Sequence, residues 1–353
     1  MRGAAISLPR EMRVLVLYDV DDLRIERRAV PELKAGELLV RTVASGICSG
    51  DIMAWYVRRK APFVLGHEPA GEIVALGPGA PPCDEDGRPY AIGERVAVHH
   101  HAPCFACRAC ERGDYVQCAT WRASQIDPGG IAEYFRVPAV NMRDTLRLPE
   151  GVSCLDGSLV EPLACVEKSL RRSGLQRGDL LYVIGLGVMG QMHLLAARAS
   201  GAQVIGSDFS PARCNLAQRN GAAAVHPGHA LEALRAASDG RGADVVICGP
   251  GTREALEHAV SVAAPGATIV MFTPLPPGTS LCLDAGRLYF SDLRLVASYS
   301  CGPPDTRAAL ARIERGEVTA ALLDAREVAL DAVPQAYALL ASGQVVKPIV
   351  TFP

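Results

Sequence analysis

The sequence predicts an α/β fold in two parts, an N-terminal β-rich part followed by a doubly wound parallel sheet. Three observations carry that prediction. Short runs of alternating apolar and polar residues fill segments 13–18, 23–28 and 37–44, separated by Pro31 and Gly36. From residue 179 onward, strand-like and helix-like segments alternate instead. Between these regimes an apolar run at 180–184 enters Gly185-Leu186-Gly187-Val188-Met189-Gly190, and a helix-forming segment follows at once.

At 353 residues the chain exceeds one ordinary core, so two domains are expected. A composition of 49% hydrophobic and 21% charged residues is that of a globular protein, and a net charge of −2 argues against nucleic-acid and membrane-surface partners. No apolar run is long enough to span a bilayer, and Arg2, Arg10, Glu11 and Arg13 interrupt any leader pattern at the start. A cytoplasmic location is the expectation. Several of the 12 cysteines cluster in a long chain, which points to metal binding rather than disulfides.

In chain order, the first strands lead to Gly46-Ile47-Cys48-Ser49-Gly50-Asp51, and Gly66-His67-Glu68-Pro69-Ala70-Gly71 arrives after a loop with Arg58, Arg59 and Lys60. Further strands are expected at 71–76 and 94–99, around an insertion at 78–93. Next comes Cys104-x2-Cys107-x2-Cys110-x7-Cys118. Four thiolates at these spacings close a tetrahedral shell around zinc with no position left for substrate, so the site is expected to be structural. Residues 129–148 return to strand patterning, and 151–170 reads as a helix carrying Glu161-Pro162-Leu163-Ala164.

The alternating region is read as strands at 180–184, 204–208, 244–248, 268–273 and 293–298, with helices at 188–199, 211–220, 230–237 and 253–264. In the glycine turn, the first glycine permits the turn, the second admits a pyrophosphate, and the third lets helix pack on strand. The helix N-terminus then faces the phosphates. Asp208 ends the second strand about 20 residues on, where a carboxylate grips the ribose hydroxyls and repels a 2′-phosphate, which favours NAD over NADP. A helix at 306–315, a strand at 326–329, a helix at 333–342 and a strand at 348–352 are too few for a third domain and are expected to rejoin the first part.

Removing a hydroxyl proton needs assistance, and a zinc ion with an open position lowers such a pKa from ~16 toward ~7. Cys48, outside the four-cysteine cluster, and His67-Glu68 are the candidate ligands.

In these motifs the chain resembles the zinc-dependent medium-chain dehydrogenases of the alcohol dehydrogenase superfamily, in their sorbitol and threonine dehydrogenase branch. The matching residues are Gly46-Ile47-Cys48-x-x-Asp51, Gly66-His67-Glu68-x-x-Gly71, the four cysteines, Glu161-Pro162-Leu163-Ala164, the Gly185 turn and Asp208, in family order across nearly the full length. The resemblance implies a GroES-like catalytic domain from 1–157 and 300–353, with a structural zinc lobe at about 99–120, and a Rossmann NAD-binding domain at 158–299, with substrate in the cleft. It implies two zinc ions per chain. Cys48 and His67 would bind the catalytic one, with Glu68 or Glu161 as the third ligand, and Asp51 would orient His67. Arg213 would pack on the adenosine ribose, and the strand at 293–298 would be the edge of a homodimer or homotetramer.

The chain also departs from the pattern. Gly50 and Met53 stand where the family usually has a hydroxyl and a histidine that relay the substrate proton. Ser49 is one substitute; His100 or His101, in the run His99-His100-His101, is another. The activity implied is interconversion of a secondary alcohol and a ketone on a polyol, sugar or cyclitol. Two alternatives stay open: a dehydrogenase of phosphorylated or acidic substrates recognised by Arg58 and Arg59, and a cofactor-binding relative without turnover, raised by Gly50 and Met53.

Overall fold

The computed structural model describes residues 8–353, so Arg2 and the start of the first predicted domain lie outside it. Within it the predicted fold class is found. The chain gathers into two compact units, one running to Pro162 and including Cys301–Glu314 and Ala325–Pro353, the other comprising Leu163–Ser300 and Arg315–Asp324. The chain passes between them inside the helix Val160–Ser173, whose Pro162 sits in the first turn, where no intrahelical N–H is lost.

The first unit is built on antiparallel strands. Asp22–Ala29, Glu11–Asp19 and Phe63–Val64 form a small sheet. A larger sheet runs Arg326–Ala329, Pro348–Thr351, Leu38–Gly46, Glu68–Leu76, Arg95–Val98, Thr145–Arg147, with Tyr134–Val137 also paired to Leu38–Gly46. Two of its pairings place the site. Gly46 pairs with Glu68, so the strand leading to Cys48 and the strand leaving His67 meet at their ends. Ile349 pairs with Gly46 on the other side, which brings the C-terminal strand to the same point. A core of Leu15, Leu17, Ile47, Leu65, Ile131, Val350 and their neighbours backs this junction.

The second unit is a six-stranded parallel sheet in the order Ala223–Val225, Gln203–Ser207, Leu180–Ile184, Ala243–Cys248, Ala263–Met271, Arg294–Ala297. All its pairings are parallel. Leu180–Ile184 is buried at every position, as a strand covered on both faces must be. The strand order reverses beside it, and the carboxyl end of such a strand is where doubly wound sheets bind ligands.

The strand expected at 268–273 is Ala263–Met271, which cuts the helix expected at 253–264 back to Arg253–Val262, and the helix expected at 306–315 begins at Pro303. Two further expectations change in kind. The helix expected at 151–170 is two, Cys154–Gly157 and Val160–Ser173, because Ser153 caps a first short turn by accepting from the Asp156 N–H at 3.0 Å. The strand patterning at 129–148 is interrupted by a 3₁₀ segment, Ala139–Asp144. Among the described residues no helix is long and apolar enough to cross a membrane.

Candidate metal centres and nucleotide site

The four cysteines of the predicted cluster converge. Their sulfurs lie within 4.8 Å of one another. Cys104 to Cys110 is 3.9 Å, Cys107 to Cys110 is 3.6 Å and Cys118 to Cys104 is 3.6 Å. With Zn–S near 2.3 Å, the edge of a tetrahedron is about 3.8 Å, so these are the separations of ligands around one ion rather than of thiols bonded to each other. The Cys104 N–H also points at Cys118 Sγ, 3.4 Å away. None of the 12 cysteines is in a disulfide.

The second candidate centre forms where the paired strands end. Cys48 caps a 3₁₀ turn, Ser49–Ile52, and its sulfur accepts from the Gly50 N–H at 3.3 Å. The Cys48 sulfur and donor atoms of His67 and Glu68 lie within 4.8 Å of one another. Burial pushes the Cys48 thiol up, against the lowering effect of His67. Burial acts downward on His67, but Asp51 and Cys48 outweigh it and hold its pKa well above the usual value. Asp51 Oδ2 stands 3.9 Å from His67 Nδ1, beyond hydrogen-bond reach, and the Asp51 carbonyl accepts from the Tyr337 hydroxyl.

Glu68 is held by a residue not singled out from sequence. Lys347 Nζ pairs with Glu68 Oε2, both side chains 1% exposed, and also donates to the Ile47 carbonyl at 3.2 Å. Gly46 leaves room for the pair: a Cβ there would fall 1.9 Å from Glu68 Oε2. Lys347 does carry a signal in retrospect, as a lone charge inside the apolar run Val345-Val346-Lys347-Pro348-Ile349-Val350. Glu68 Oε1 and Asp51 Oδ2 are buried without a hydrogen-bond partner. Buried carboxylate oxygens are seldom left so, and orphaned acceptors beside a thiol and an imidazole fit a cation. The donor set of thiolate, imidazole and carboxylate suits zinc with one position open.

Glu161, in the first turn of Val160–Ser173, groups instead with His99 and His100, their donor atoms within 4.8 Å of one another. Burial, then the neighbouring Cys301, pushes its carboxyl up to about 7. The three histidines part company. His99 Nδ1 bonds Asp144 at 2.7 Å, and its Nε2 lies 3.6 Å from Cys301. His100 has its ring 5.1 Å from that of His67. His101 is committed elsewhere: its Nδ1 meets the Ser124 carbonyl and its ring lies 4.3 Å from Trp121. Of the two expected relay histidines, only His100 therefore stands beside His67. Gly50 leaves ordinary contact space, a Cβ there meeting Cys48 Sγ at 3.4 Å, and Met53 follows the same turn. Arg58 is engaged by Asp19 at 3.0 Å, and Arg59 is exposed.

In the second unit the Gly185 turn has the predicted form. Gly185 has φ of +85°, and a Cβ at Gly190 would fall 2.0 Å from the Gly185 carbonyl oxygen, so helix Val188–Ala199 packs against the turn only without one. At Gly187 a Cβ would enter open space, the space a phosphate needs. Asp208 Oδ2 accepts from the Leu186 N–H and Oδ1 from the Ser210 N–H, both at 2.8 Å. Arg213 Nη1 lies 3.5 Å from Asp208 Oδ2, so it pairs with the acid itself.

Comparison with known proteins agrees with the fold. Residues 34–150 match the alcohol dehydrogenase GroES-like domain, and 188–315 match the zinc-binding dehydrogenase model. Sorbitol dehydrogenase of Bacillus subtilis is 31% identical, over 72% of this chain and 73% of its own length. L-galactonate-5-dehydrogenase of Escherichia coli is 28% identical, over 97% and 99%. A chain from Sinorhizobium meliloti crystallised with NADP has 27% identity and a TM-score of 0.84, over 97% of this chain and 99% of that one. The chain belongs to the zinc-dependent medium-chain dehydrogenases of the alcohol dehydrogenase superfamily.

Proposed function

We propose that the chain is a zinc- and NAD-dependent dehydrogenase that interconverts a secondary alcohol and a ketone on a polyol, sugar or cyclitol. The observation that carries this reading is the convergence of Cys48, His67 and Glu68 beside two orphaned carboxylate oxygens. When bound, zinc supplies the Lewis acidity that lets a hydroxyl lose its proton near neutral pH, and NAD supplies the hydride acceptor. Cys48 and His67 are two donors to the metal, and Glu68, held in place by Lys347, is the third. Glu161 stands near this centre without being one of its three donors, and Asp51 orients His67 from behind. The four-cysteine lobe holds a second, structural zinc. The GroES-like part is read as the catalytic domain and the parallel sheet as the coenzyme domain.

The coenzyme is NAD on this reading, because the Asp208 carboxylate, fixed by the Leu186 and Ser210 amides, meets the ribose hydroxyls and repels a 2′-phosphate. Asp208→Asn keeps an oxygen for those amides while removing the charge. It is expected to shift the NADP/NAD ratio of kcat/KM toward NADP by roughly tenfold, about 1.4 kcal/mol, and an unchanged ratio would place coenzyme choice elsewhere. A homodimer or homotetramer is supported by the edge strand Arg294–Ala297, which carries exposed Leu295 and follows exposed Tyr289 and Phe290. A cytoplasmic location suits twelve reduced cysteines.

The test is NADH formation by zinc-loaded protein on acyclic polyols, sugars and cyclitols, each beside its phosphorylated counterpart. Arg58 already spends its charge on Asp19, so neutral substrates are expected to turn over faster. Preference for the phosphorylated members would transfer the proposal to an acidic substrate.

A further inference from the structure

The run His99-His100-His101 is only partly absorbed by the reading above. His99 and Glu161 are buried, and His100 Nδ1 is shut off from solvent with no hydrogen-bond partner. An imidazole nitrogen left bare inside a protein costs free energy unless something unseen takes it. His99 is held in the manner of a metal ligand: Asp144 Oδ2 fixes its Nδ1 at 2.7 Å, and Asp144 is itself fixed through Oδ1 by the Thr306 hydroxyl, also at 2.7 Å. A carboxylate bonded to one imidazole nitrogen sets the tautomer and leaves the other nitrogen as donor. That other nitrogen, Nε2, has Cys301 Sγ 3.6 Å away.

We infer that His99, His100 and Glu161 form a second divalent transition-metal site beside the Cys48–His67–Glu68 centre, a third metal position in the chain. Their donor atoms already lie within 4.8 Å of one another, and small side-chain rotations bring such a set to the edges of about 3.4 Å that ligands near 2.1 Å require. Two imidazoles and a carboxylate are a donor set for zinc, cobalt or ferrous iron, and with three protein ligands a position stays open. A small cavity of about 10 Å³, bordered by Glu68, His99, Asp144 and Glu161 among others, adjoins the cluster. It has room for about one water, the size of guest an open metal position takes.

The site is independent of the zinc assigned to Cys48 and His67, and it excludes the proton relay expected of His100, since a metal-bound nitrogen carries no mobile proton.

The test is metal content of the full-length protein, equilibrated with zinc and measured by plasma mass spectrometry after buffered removal of loose ion. The wild type is expected to hold three ions per chain and His100→Gln two, with thermal stability and coenzyme binding retained. Anomalous scattering at the zinc edge is expected to place a peak within about 2.2 Å of His99 Nε2 and of a Glu161 oxygen. Cys48→Ser is expected to lose a different ion and keep this peak. A wild type with two ions and no such peak overturns the site, as does a His100→Gln variant that keeps three. A His100→Gln variant with a changed pH profile but unchanged metal content restores the relay instead. If Cys48→Ser leaves the count unchanged while His100→Gln lowers it, the failure belongs to the first centre and not to this one.

Discussion

Replacing His67 with Ala is expected to lower kcat/KM on the best alcohol substrate by at least about a thousandfold and to remove one metal ion per chain. The size follows from what the imidazole does. It is one of three donors that come within 4.8 Å of one another, and the other two are a half-buried thiol and a buried carboxylate. Without it the metal loses one of three donors and is released, and the thiol and carboxylate lose the cation that lay between them. A Lewis acid that moves a hydroxyl pKa by several units contributes several kcal/mol, and each 1.4 kcal/mol is tenfold in rate. Asp51→Asn tests the supporting role separately. It leaves the ligands in place but loosens the orientation of His67 across the 3.9 Å gap, so a loss of roughly ten- to a hundredfold in metal affinity or turnover is expected. Metal analysis and steady-state rates on the same preparations decide both. Full activity in the His67 variant would place the chemistry elsewhere.

Lys347→Met is expected to cost about 3–5 kcal/mol of stability, seen as a lowering of the melting transition by roughly 10 °C. Lys347 and Glu68 are paired at 1% exposure each, between strands that meet at Gly46. In protein stripped of metal, where no zinc faces Glu68, methionine fills the volume but leaves the Glu68 charge buried without a counter-ion, which costs more than the pair itself contributes. Lys347→Met with Glu68→Gln is expected to recover most of the loss, because no buried charge remains. Calorimetry of the two variants and the wild type, all stripped of metal, measures this. A single variant within about 1 kcal/mol of wild type would mean that Glu68 is neutralised by something other than Lys347.

The parts of this molecule that were legible in the sequence are those whose signals are local. The run at 180–184, the helices at 188–199 and 230–237 and the strand at 326–329 have the expected bounds. A glycine turn, a fully apolar strand and a 3.6-residue period each declare themselves within a few residues. The strand Ala223–Val225 and the helix Ala285–Phe290 were not legible, since three residues show no period and the short helix has no buried residue to mark a face. The candidate ligands Cys48, His67, Glu68 and Glu161 were legible because each lies in a distinctive short motif.

What holds those ligands was not legible, because it arrives from far along the chain. Lys347 reaches Glu68 across 279 residues, His99 meets Asp144 across 45, and Thr306 meets Asp144 across 162. Such contacts are made by tertiary packing and leave no spacing to read. The sequence also offered His100 and His101 as equals. The fold separates them, turning His101 onto Trp121 and leaving His100 beside His67.

Zinc dependence of the chemistry is measured by NADH formation from a mixture of neutral polyols, using protein stripped with a chelator and then reloaded with zinc. No turnover is expected in the stripped protein, with recovery on zinc addition and no recovery when Cys48 is replaced by Ser. Turnover that survives stripping, or a reloaded protein that binds NAD and oxidises no polyol in the mixture, would contradict that expectation.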